Sequence, residues 1–146
     1  MEDLIRSSPT PDPIPANTIS IAEYGDIILI VGSEGLTRLR VDSYMLKSAS
    51  MVFRDMYWPD QSCQDDEPSS NTPIIERLPE DDPDAMELIC NVLHHDGTAI
   101  PRSIELERLL RTARLINKYL LHRALYYHVS TWFEGIPISS SAYMLR

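Results

Sequence analysis

The chain has 146 residues, 43% of them hydrophobic and 24% charged, with a formal net charge of -9. That length holds one domain with a genuine core, the apolar share excludes wholesale disorder, and the acidic balance argues against nucleic acid as a partner, since phosphate contacts need clustered Lys and Arg. No apolar run approaches the roughly 20 residues that span a bilayer, and the first residues are acidic rather than apolar, so no membrane attachment and an intracellular location, cytoplasm or nucleus, are expected.

From the N-terminus, Pro9, Pro11, Pro13 and Pro15 forbid a helix, and residues 1–17 are expected to form a disordered, extended tail. The dipeptides Ser8-Pro9 and Thr10-Pro11 have the form of proline-directed phosphorylation sites. A domain is expected over 18–134. Ile19 and Ile21 alternate with polar neighbours, which permits a short edge strand.

The stretch from Gly25 to Tyr57 organises the rest. Ile27 to Val31 is a continuous apolar run closed by Gly32 and reopened after Gly35 by Leu36 to Val41, the pattern of two strands joined by a Gly-rich turn. Without polar alternation, the first strand is expected to be covered on both faces. Leu39 and Val41 alternate with Arg38 and Arg40, so one face of the second should meet solvent. Asp42 and Ser43 can each accept hydrogen bonds from the free N-H groups of a short helix start. Ser50 can do so for a second helix whose apolar face is Met51, Val52, Phe53 and Met56.

Residues 59–73 hold four acids (Asp60, Asp65, Asp66, Glu67), no Lys or Arg and three prolines, the composition of an insertion loop; Cys63 falls within it. Ile74-Ile75 gives a brief strand. Asp82 as N-cap, Pro83 at the first helical position and Asp84 in the first turn then start a helix, with Ala85, Met86, Ile89, Val92 and Leu93 on its buried face, and Asp96-Gly97 stops it. A further helix is expected from about Ser103. Its periodicity groups Leu106, Leu109, Leu110, Ala113, Ile116 and Leu120 as core and sets a cationic face of Arg108, Arg111, Arg114 and Lys118 opposite. Residues 102–123 carry six cations against two acids, so base gathers here while acid gathers in the middle of the chain. A last helix is expected from about Tyr119 to Phe133, and residues 135–146 form a C-terminal tail.

Catalytic constellations are weak. The Glu80 to Asp84 carboxylates have the spacing of a turn and helix cap. His94-His95, His122 and His128 lack the i, i+4 spacing of shared metal ligands, and Gly32-Ser33-Glu34-Gly35 lacks the Lys and following helix of a phosphate loop. Cys63 and Cys90 fit free thiols, with Cys90 beside a buried helix face. No catalytic residue, metal or cofactor is expected.

The spaced residues Asp26, Leu39-Arg40-Val41, Leu46, Ser50 and Phe53, followed by the acidic helix start at residues 79–84, resemble a BTB/POZ domain of the fungal type. The resemblance covers about residues 20–133. It implies an α+β fold, a small three-stranded sheet packed with about five helices, and a non-catalytic protein-protein interaction module that self-associates or scaffolds partners as a homodimer or hetero-oligomer. Apolar surface at the hairpin and first helix would drive association, and exchange of an N-terminal strand between partners is a family habit. Asp26, Arg40, Asp42, Ser43, Leu46, Ser50, Phe53, Met56 and Tyr57 become the candidate motif and partner-binding residues. Asp42 and Ser43 replace a His and a cation common in relatives, so a partner bound at that pocket should present Lys or Arg. An alternative within the family is a substrate adaptor of a cullin-type ubiquitin ligase; where such adaptors carry a hydrophobic-x-acid motif, this chain has Gln61-Ser62-Cys63. A small metal-dependent hydrolase is the alternative from another class.

Overall fold

The computed structural model describes residues 14, 17–57 and 70–137, with the Tyr57 side chain outside that set. The expected N-terminal tail and acidic loop fall mostly outside the described residues, as do Cys63 and the chain after Pro137. In chain order the elements are β1 (Thr18–Ser20), β2 (Ile27–Val31), β3 (Thr37–Val41), α1 (Ser43–Ala49), α2 (Met51–Tyr57), β4 (Ile74–Leu78), α3 (Pro83–Leu93), α4 (Leu106–Lys118) and α5 (His122–Gly135). No described helix is long and apolar enough to cross a membrane.

Among the described residues the mixed α+β architecture has four strands in the order β1-β3-β2-β4, rather than the three expected. The additional strand is the Thr18–Ser20 segment, which pairs parallel to β3 with Ile19 opposite Leu39. It is the short edge strand that the alternation of Ile19 and Ile21 permits, held on the free edge of β3. β2 and β3 form the antiparallel hairpin, Leu29 opposite Leu39, and β2 pairs parallel with β4 on its other side. All five residues of β2 are buried, as its unbroken apolar run predicts.

The hairpin turn depends on glycine at two points. Gly32 (φ 94°) and Gly35 (φ 66°) lie in the left-handed region that side chains disfavour. Gly25 matters for space instead: a Cβ there would stand 2.3 Å from the carbonyl oxygen of Val41.

On one face of the sheet, Ile27, Leu29, Val31, Leu39 and Val41 join Leu46, Phe53, Leu125, Trp132 and most of α3 in a single core. The helix α3 is its axis. Ala85, Met86, Ile89, Val92 and Leu93 are buried as expected, and so are Leu88, Cys90 and Asn91, so the helix is enclosed around most of its circumference. It starts as its sequence dictates, with Asp82 Oδ2 accepting from the Ala85 N-H at 2.8 Å and Pro83 following. It ends earlier than Gly97 suggests. His95 takes φ 60°, its N-H bonds to the Val92 carbonyl and the Asp96 N-H to the Asn91 carbonyl, closing a Schellman motif on a residue with a side chain.

Two further boundaries differ from expectation. The helix α4 begins at Leu106 rather than near Ser103, because Ile104 is drawn into the core and Glu105 stays extended. Leu120 (φ 54°) breaks the chain between α4 and α5, so the last helix starts at His122 rather than Tyr119. The buried residues of α4 are Leu109, Thr112, Leu115 and Ile116, followed by Tyr119, whereas Leu106, Leu110, Ala113 and Leu120 are exposed. The core face is therefore turned by about one residue position, roughly 100°, from the one its leucines predict.

Candidate functional site

The candidate motif residues gather at two places, and the first is the junction where the hairpin feeds α1. Asp26 Oδ1 accepts from the Ser43 N-H at 2.7 Å and Oδ2 from the Ser43 hydroxyl at 2.6 Å. Asp42 caps the same helix, its Oδ1 accepting from the Tyr44 N-H at 2.8 Å. Two carboxylates thus take the first free N-H groups of α1, where the helix dipole favours negative charge. The acidic pocket expected to meet a partner's Lys or Arg is built from groups already engaged within the chain. Arg40 stands on the other side of the hairpin, donating from Nε to the Gly25 carbonyl at 2.9 Å and from Nη2 to the carbonyl and hydroxyl oxygens of Ser70 at 2.8 and 3.1 Å.

His94, which closes α3, reaches this junction. Its Nε2 accepts from the Asp42 N-H at 2.9 Å while Nδ1 lies 2.8 Å from the Cys90 carbonyl. That pair of partners requires the neutral ring with its proton on Nδ1. Burial lowers the pKa of His94 from its ordinary value, opposed by the Cys90 carbonyl and the Asp42 charge and reinforced by His95.

The second place is the seam between α1–α2 and the end of α4. Leu46 and Phe53 are fully buried. Ser50 caps α2 as its position predicts, accepting from the Phe53 N-H at 3.1 Å, and also donates its hydroxyl proton to the Tyr119 carbonyl at 2.6 Å. The rings of Phe53 and Tyr119 stack with centroids 4.3 Å apart. Beyond them, the Tyr119 hydroxyl donates to the buried Asp81, whose other oxygen takes Lys118 Nζ at 2.5 Å. Neither Asp81 nor Tyr119 stands in a chemical motif, and the acidic run 80–84 that contains Asp81 has the spacing of a turn and helix cap.

The cationic face does not stand free. Arg108 makes a bidentate pair with Asp84 at 2.7 and 3.1 Å. Arg111 lies within 3.4 to 3.7 Å of Asp82, Asp84 and Glu107, and Lys118 holds Asp81. Arg114 alone of the four is without an ion pair among the described residues. The expected opposition of an acidic middle and a basic end is real in sequence, and the fold brings the two together.

Surface that remains open is apolar in two areas. Tyr44 and Met51 are 64% and 59% exposed at the starts of α1 and α2, with Met56 further along. On the outer side of α4 and α5, Ala113, Ile116, His122, Tyr126, Val129 and Ser130 line a groove of about 250 Å³. A cleft of about 530 Å³ between the hairpin turn and residues 79–83 is lined by Glu34, Glu80 and Asp82 but holds no His, Cys or Ser-His pairing. Among the described residues no three His, Cys, Asp or Glu side chains converge on a point that would hold a metal ion. Cys90 is enclosed, and burial, helped by Glu87, pushes its thiol pKa up to about 12, so it is packing rather than a nucleophile. In sequence, the chain matches no protein-family model and no curated protein.

Proposed function

We propose that the chain is a non-catalytic protein-protein interaction module of the BTB/POZ kind, acting by self-association and as a scaffold for partner proteins. The observation that carries this is the division of labour among the motif residues. Leu46, Ser50 and Phe53 lock α1 and α2 to the end of α4 from inside, which leaves Tyr44 and Met51 on the outer side of the same helices as exposed apolar side chains. A helical hairpin presenting large apolar groups is what a protein interface needs at its centre. The edge strand β1 adds a second means of association, since among the described residues its outer edge has no neighbouring strand in the sheet.

Light scattering on the intact protein tests the proposal. A homodimer has twice the chain mass of 16.7 kDa, and Tyr44→Glu together with Met51→Glu should shift it to monomer while leaving the circular dichroism spectrum unchanged. A mass of one chain at high micromolar concentration would overturn self-association.

A further inference from the structure

The face of the sheet turned away from the helices carries a different chemistry from the rest of this acidic chain. Strand register sets its side chains in two rows. One runs Thr18, Arg38, Ile30, Arg77 and the next Ser20, Arg40, Ile28, Ile75. Residues opposite one another in register share a face, so three arginines stand here with no carboxylate among the eight positions. Glu76 belongs to the opposite face, in register with Leu29.

These arginines are held differently from those of α4. Arg40 is bound to backbone and to Ser70. Arg38 and Arg77 have no ion pair among the described residues, and the Nε of Arg38 is buried without an acceptor. Its neighbour in register, Thr18, has a buried hydroxyl that is likewise without a partner. Both atoms are enclosed, so the part of Arg38 open to a partner is the remainder of its half-buried side chain. Across Ile30, Arg77 is exposed about two strand spacings, roughly 10 Å, away. Beside it Ile75 is 57% exposed.

We infer that this outer sheet face docks an acidic segment of a partner protein, one carboxylate on the half-buried Arg38 guanidinium and a second on Arg77, with an apolar residue against Ile75. Charge complementarity selects the occupant: a forked guanidinium matches a carboxylate. A long nucleic-acid backbone needs many clustered Lys and Arg contacts, whereas this face offers two cations beside an exposed isoleucine, which suits a short acidic segment with one apolar residue. The inference rests on reading the chain as an interaction module but not on self-association, which uses other residues.

The test is fluorescence anisotropy of a labelled hexaglutamate peptide with the full chain, at low and at physiological ionic strength. Saturable binding is expected, weakened about tenfold or more by Arg38→Gln with Arg77→Gln. The exposed Arg77→Gln alone should weaken it a few-fold, which keeps the test decisive if the double variant does not fold. Arg114→Gln on α4 should leave it within about twofold. Absence of binding, or equal loss with Arg114→Gln, overturns the proposal. So does tighter binding of an oligothymidylate of matched charge. Binding that emerges only when Asp60, Asp65, Asp66 and Glu67 are neutralised assigns the face to the chain's own acidic stretch and defeats the assignment to a partner. Light scattering on the same samples reports self-association separately, so either proposal can fail without the other.

Discussion

The cations of α4 and those of the outer sheet face have opposite fates. In the sequence the α4 group looks the more available: four positive side chains at helical spacing, far from any run of acid. The fold sets that helix beside the start of α3, where Asp81, Asp82 and Asp84 take up three of the four. The sheet arginines look like routine solvent-facing alternation, yet Arg38 and Arg77 meet no carboxylate among the described residues. Local charge density is therefore a poor guide to which cations a partner can reach. What decides is the sign of the residues that tertiary structure brings opposite.

The largest expected effect lies at the buried end of the α4 seam. Asp81→Ala removes the acceptor of both Lys118 and the enclosed Tyr119 hydroxyl, and a loss of about 3 kcal/mol is expected from the shift in urea midpoint. A loss below about 1 kcal/mol would show that the seam is held by packing alone. Next comes the pH dependence of His94. Its folded-state pKa is lowered from 6.5, so below that pH the unfolded chain binds a proton that the native ring resists. Stability is fully present above pH 6.5 and is lost as pH falls from there toward the folded value. Thermal melts across that window should show the slope in the native chain and a reduced one in His94→Gln. The smallest effects sharpen the contrast itself. Arg108→Gln should cost no more than about 0.5 kcal/mol, since the Arg108–Asp84 pair is substantially exposed, and Arg38→Met should leave stability equal or slightly higher because no ion pair is lost. If Arg38→Met costs as much as Asp81→Ala in the same denaturation series, the two groups of cations do not differ as described.

Much of the frame was legible because local chemistry agrees with the fold. The β2–β3 hairpin announces itself through a β-branched run and two glycines. Ser50 marks the break between α1 and α2, and Asp82-Pro83 marks the start of α3. The failures share a cause: the deciding group lay elsewhere in the chain. Nothing local favours a helix boundary at Leu120, a residue ill-suited to φ 54°; the turn is made by the Leu121 N-H closing onto the Ile116 carbonyl while Ser50 holds the Tyr119 carbonyl. The apolar residues of α4 span more than one face, and the face that became core includes Thr112, whose hydroxyl is satisfied by the Arg108 carbonyl. Of the candidate residues, Leu46, Ser50 and Phe53 stand out through the family resemblance, Ser50 also as a cap and Phe53 as part of an apolar face, whereas Tyr119 and Asp81 do not, since a stacked ring and a buried carboxylate leave no periodic trace. The side chain of Tyr57 lies outside the described residues.

The order of the strands also bears on time. β2 meets β3 within one hairpin, the pairs standing 6 to 14 positions apart, but it meets β4 only across 47 positions, through α1, α2 and all that lies between. Closing that distance loses chain entropy before it gains any contact. The hairpin is thus expected to assemble early and to wait with one edge of its most apolar strand unpaired until β4 arrives. During synthesis, with β4 still to be made, that edge is the chain's most aggregation-prone surface.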